Sequence, residues 1–140
     1  MVFKSKVKEE LLTEMQKFIF WYYQNRLAFP SNNSKRFIRL TKRTNLKFKH
    51  TENHYIVMEL VDNADYPLFE LTFSFTELDG NDAVEIGYYA KGETDLETFT
   101  LDDSKGIKSF LVQVINHIPS ETYLKHYLNL FKYNICLWCG

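Results

Sequence analysis

The stretch from His54 to Thr76, HYIVMELVDNADYPLFELTFSFT, constrains this chain most. It reads as two long strands around one turn. In the second strand Phe69, Leu71, Phe73 and Phe75 fall on one side, while Glu70, Thr72, Ser74 and Thr76 fall on the other. Strict alternation of that kind marks a half-buried strand, because successive side chains point to opposite faces of a sheet. A sheet with one apolar face has to be covered, and amphipathic segments at both ends of the chain are the available cover.

Further strands flank this pair. Lys35–His50, KRFIRLTKRTNLKFKH, reads as a hairpin with strands near 36–41 and 46–51 around Lys42-Arg43-Thr44-Asn45. Ile38, Leu40, Leu46 and Phe48 are its inward set, and Arg39, Lys47 and Lys49, with Phe37, its outward set. Leu78-Asp79-Gly80-Asn81-Asp82 is the clearest turn, since Asp-Gly favours the positive φ of tight hairpins. A strand at Val84–Ala90 follows, with Val84, Ile86 and Tyr88 inward and Glu85, Gly87 and Tyr89 outward. Lys91-Gly92-Glu93-Thr94 then turns into a short strand near Glu97–Leu101. Every link is short, and short links join antiparallel neighbours, so the expectation is a meander of five to six strands.

Residues 5–26 read as a helix, with Val7, Leu11, Met15, Phe18, Ile19 and Tyr22 recurring at spacings of three and four. Phe20 lies opposite that stripe and Trp21 on its shoulder, which makes the two a candidate interface. Asp102-Asp103-Ser104 supplies caps for a second helix carrying Ile107, Phe110, Leu111, Val114, Ile115 and Ile118. Pro119 ends it, and Ser120 with Glu121 opens a third, with Leu124, Tyr127, Leu128 and Phe131 on one face. The fold class expected is α+β: an antiparallel meander with one N-terminal and two C-terminal helices packed on one face. At 140 residues, with no repeat or linker, a single domain over 1–140 is expected.

Chemistry-bearing motifs are sparse. Cys136-x-x-Cys139 could supply half a zinc site with His117 and His126, but the histidines lie nine residues apart across a helix break. The pair also follows a helix at the C-terminus, whereas a redox thiolate needs a helix N-terminus after a strand. Plain thiols are therefore expected, with no metal and no cofactor. The five glycines, at 80, 87, 92, 106 and 140, form no phosphate loop, and no nucleophile-elbow pattern appears. Glu9 and Glu10 fall where a secretion signal needs an apolar stretch, so a reducing cytoplasmic setting is expected. The nearest apolar run, Phe18 to Tyr23, is far too short to span a membrane.

Charge is the informative remainder. The net charge of −1 hides a strong segregation. Residues 1–54 hold twelve Lys/Arg against four Glu, whereas residues 55–103 hold thirteen Asp/Glu against Lys91. Two binding functions follow. Asp79, Asp82, Glu85, Glu93, Asp95 and Glu97, with Tyr89 among them, could present an acidic surface to a basic protein such as a toxin or nuclease. Immunity proteins, antitoxins and phage-encoded inhibitors have this character, and a non-enzymatic inhibitor is the primary expectation. The alternative is a nucleic-acid-binding hairpin using Arg36, Phe37, Arg39, Lys42, Arg43, Lys47 and Lys49, in which cations meet phosphates and an aromatic stacks on a base. A third outcome is that the basic and acidic segments neutralise each other within one sheet.

Overall fold

The computed structural model describes residues 4–25, 34–50 and 55–133, with the side chains of 34–38 and of His50 outside that description. The elements run α1 (Lys6–Asn25), β1 (Ser34–Arg39), β2 (Thr44–His50), β3 (Tyr55–Asp62), β4 (Pro67–Leu78), β5 (Asn81–Ala90), β6 (Glu93–Thr100), α2 (Ser104–Asn116) and α3 (Glu121–Lys132). This is the α+β arrangement read from the sequence. The described chain divides into two compact units, one formed by the helices and one by residues 30–102.

The six strands form one antiparallel sheet in the order β1-β2-β3-β4-β5-β6, so each strand bonds to its sequence neighbour. Register carries the apolar set across the sheet. Phe48 pairs with Met58, Met58 with Leu71, and Leu71 with Tyr88. One row further along, Ile56, Phe73 and Ile86 stand in register. All of these are buried, with Ile56, Met58, Phe73 and Ile86 at 0% exposure. Each such side chain contributes roughly 1.5–3 kcal/mol by leaving water. Phe75 is only half-buried, because β4 reaches its solvent end there.

Turn chemistry fixes the links. Asp79 (φ 52°) and Gly80 (φ 81°), and again Lys91 (φ 46°) and Gly92 (φ 86°), form two-residue turns with both centres in the left-handed region. Their twist matches that of the flanking strands. Between β3 and β4, the Asp62 carboxylate accepts from the Ala64 and Tyr66 amides, each at 2.9 Å. The register slips there, from Leu60 opposite Phe69 to Val61 opposite Pro67. Pro67 takes the first position of β4, where a missing N–H is tolerated.

In the helical unit α1 packs against α2 and α3. Leu11, Met15, Phe18, Ile19 and Tyr22 make the buried stripe of α1. The Phe18 ring meets Phe131 edge-on at a centroid distance of 5.1 Å. Polar ties edge the same contact: Lys132 to Glu10 at 3.5 Å, and Lys8 Nζ to Asn116 Oδ1 at 3.3 Å. Both C-terminal helices carry the caps that the sequence offered. Asp103 accepts from Gly106 N–H, and Ser120 from Tyr123 N–H. Among the described residues no helix is long and apolar enough to cross a membrane.

A candidate protein-binding surface

Strand order decides whether the two charged segments cancel. The basic hairpin β1–β2 lies at one side of the sheet and the acidic pair β5–β6 at the other, with β3 and β4 between them. At about 4.8 Å per strand, β2 and β5 are roughly 14 Å apart. That is well beyond ion-pair range. Lys47 Nζ instead closes on Asp65 Oδ1 at 2.7 Å, in the β3–β4 turn. Lys49 acts on the neighbouring interior of the sheet, where its charge offsets part of the upward push on the Glu70 carboxyl.

Asp79, Asp82, Glu93, Asp95 and Glu97 are exposed, and Glu85 and Tyr89 are half-buried. Register divides these residues between two faces. Glu85 stands opposite Ser74 and Thr98, on the polar face. Glu93, Asp95 and Glu97 stand opposite Ala90, Tyr88 and Ile86, at the rim of the apolar face. Two tyrosines register the two groups. Burial, then Asp95 and Glu93, hold the Tyr88 phenol above its ordinary pKa. Burial first, then Glu70, Glu85 and Glu59, do the same for Tyr55, against a lowering hydrogen bond from Thr72.

Glu59, Glu70 and Tyr55 therefore share the polar face with Glu85, although the sequence did not single them out. Their signal was available: Glu59, Glu70 and Glu85 occupy polar alternation positions on three successive strands. Tyr66 is 59% exposed, and the neighbouring Tyr89 hydroxyl holds its proton more tightly than usual. Leu96 also joins, 57% exposed on β6. It stands opposite Gly87, where an added Cβ would lie 2.7 Å from Leu96 Cδ1.

The remaining candidates are scattered. Arg39, Lys42 and Arg43 are exposed at the β1–β2 turn, whereas Lys47 and Lys49 are half-buried. Arg36 and Phe37 stand in backbone register with Phe48 and Lys47, and their side chains lie outside the described set. Phe48 is 4% exposed and offers no ring for stacking. Phe20 is 46% exposed on α1, while Trp21 is half-buried with its ring 6.0 Å from Phe18. Cys136 and Cys139 lie outside the described residues. His117 Nδ1 sits 2.7 Å from the Gln113 carbonyl. Among the described residues no three His, Cys, Asp or Glu side chains form a metal-sized group. No protein-family model matches the chain, and no curated protein or solved structure is significantly similar to it.

Proposed function

We propose that this protein is a non-enzymatic, protein-binding inhibitor that offers the acidic β5–β6 side of its sheet to a basic partner. A toxin or nuclease is the kind of partner such a surface fits. One observation carries the reading: β3 and β4 separate the acids of β5 and β6 from the basic hairpin. Exposed charge of one sign speeds encounter with an oppositely charged protein and rejects like-charged ones. Immunity proteins, antitoxins and phage-encoded inhibitors share this logic.

The test is affinity capture from the native host with two baits. The wild type should retain a basic polypeptide, in a salt-dependent way. Asp79→Lys, Asp82→Lys and Glu85→Lys combined with Glu93→Lys, Asp95→Lys and Glu97→Lys should lose it, and unchanged retention refutes the reading. A second reading, nucleic-acid binding, draws on the exposure of Arg39, Lys42 and Arg43. It requires retention on a single-stranded oligonucleotide at about 50 mM salt that weakens steeply as salt rises.

A further inference from the structure

Among the described residues β6 ends the sheet order, with β5 as its one strand neighbour. Its residues 93–97 are all exposed. The direction of its backbone groups follows from the turn before it. A two-residue turn at Lys91-Gly92 makes Ala90 and Glu93 a pair that exchanges both hydrogen bonds. Alternation then sends the N–H and C=O groups of Glu93, Asp95, Glu97 and Phe99 to β5. Those of Thr94, Leu96 and Thr98 point away from the sheet.

The β4–β5 turn gives the same parity independently. Asp79-Gly80 closes on the Leu78–Asn81 pair, which leaves Val84, Ile86, Tyr88 and Ala90 bonding toward β6. One outward donor is already occupied in a telling way. The Leu96 N–H donates to Asp95 Oδ1 at 2.9 Å. A carboxylate thus stands where the carbonyl of an adjoining strand would bond.

We propose that the β6 edge is the docking site for an extended, Lys/Arg-rich segment of the partner protein, which adds as a seventh strand. This rests on the inhibitor reading above and specifies its mode. Main-chain bonds to the outward groups of Thr94, Leu96 and Thr98 hold the segment. Cations at alternate positions of the segment meet Glu93, Asp95 and Glu97, all on one face of β6. On the other face Leu96 offers apolar contact. As the segment arrives, Asp95 yields the Leu96 N–H to the incoming carbonyl and turns to the incoming cation. An acidic strand, or the β6 edge of another copy, meets the same three carboxylates and is repelled.

The probe is a fluorescent peptide of about ten residues, alternating Lys and Thr, and the same peptide N-methylated at every residue. The two carry equal charge, but the second cannot donate main-chain hydrogen bonds. Anisotropy at low salt should show binding of the first and a loss of about tenfold or more for the second. Equal binding overturns strand addition and leaves charge-based capture standing. Binding of neither overturns both. Thr98→Pro removes one outward N–H and spares the β5 ladder. It should weaken the unmethylated peptide while the circular dichroism spectrum and melt stay unchanged, and full affinity in that variant overturns the proposal. Concentration-dependent self-association that excludes the peptide would make a second copy the occupant, which also overturns it.

Discussion

Replacing Glu70 by Gln should stabilise the protein at neutral pH and change nothing in acid. Glu70 stands directly opposite Glu59 on the polar face, in the middle of the sheet. Like charges in that position repel. Lys47 is the other register neighbour of Glu59, but its ammonium is held at 2.7 Å by Asp65. The Glu70 carboxyl is pushed above its ordinary value of 4.5 first by burial and then by Glu59, with Lys49 pulling the other way. The native state therefore holds that proton more tightly than the unfolded chain does.

The sign follows from linkage. For a group whose native pKa is raised, the stabilising contribution is complete below the unfolded value and is lost as pH climbs through the native one. At pH 7 the folded protein carries the full cost of an ionised Glu70, and Gln abolishes that cost. A directly opposed like-charge pair costs about 0.2–1 kcal/mol, and partial exposure of Glu70 keeps the sum near the middle of that range. A gain of that size is a rise of roughly 2–3 °C in Tm for a chain of this length. Urea titrations followed by circular dichroism at pH 7 and at pH 4 provide the check. No gain at pH 7 would refute the reasoning, as would an undiminished gain at pH 4, where the carboxyl is largely protonated in both states.

Two further substitutions probe the sheet. Phe73→Ala empties a fully buried site between Ile56 and Ile86, and should cost about 3–5 kcal/mol in a urea titration; a loss under 1 kcal/mol would show that the site collapses freely. Gly87→Ala drives a methyl to 2.7 Å from Leu96 Cδ1 and 2.9 Å from Thr72 Oγ1. The leucine end can swing away while the buried Thr72 cannot, so a loss of about 1–2 kcal/mol and a displaced Leu96 methyl resonance are expected, and unchanged spectra would refute the contact.

What was legible in the sequence is what side-chain periodicity encodes. Phe69, Leu71 and Phe73 reveal β4 because one face must be apolar, and the stripe of α1 shows for the same reason. β6 was read as a short strand near 97–101 but runs Glu93–Thr100. Its first half, ETDLE, carries acids where a central strand would carry apolar side chains, so only the backbone ladder to β5 marks it as a strand. The first hairpin shifted likewise: β1 ends at Arg39, and Thr44, read as part of the turn, is buried at the start of β2. The acids of the candidate surface were read as one set. Whether Glu93 shares a face with Glu85 or with Tyr88 depends on a single residue of turn length, since one residue of slip exchanges the two faces. Lys91-Gly92 settles it in favour of Tyr88.

The placement of Glu93, Asp95 and Glu97 resolves an apparent conflict in their use. An open edge strand invites pairing with any other exposed edge, and charge along it is a common safeguard. A partner surface asks for the reverse, an edge that accepts a strand. Carboxylates satisfy both demands because their effect depends on the sign of what approaches. They repel a second β6 and, under the proposed strand addition, would admit a cationic strand, so protection and recognition would come from the same three side chains. The opposite edge, β1, carries Lys35, Arg36 and Arg39 in its sequence, so like edges of two copies repel at either side of the sheet. The one self-pairing that charge does not oppose is β1 against β6, which sets a cationic strand beside the same three carboxylates. Segregated charge at the two sides of one meander thus restricts which strands can join the sheet.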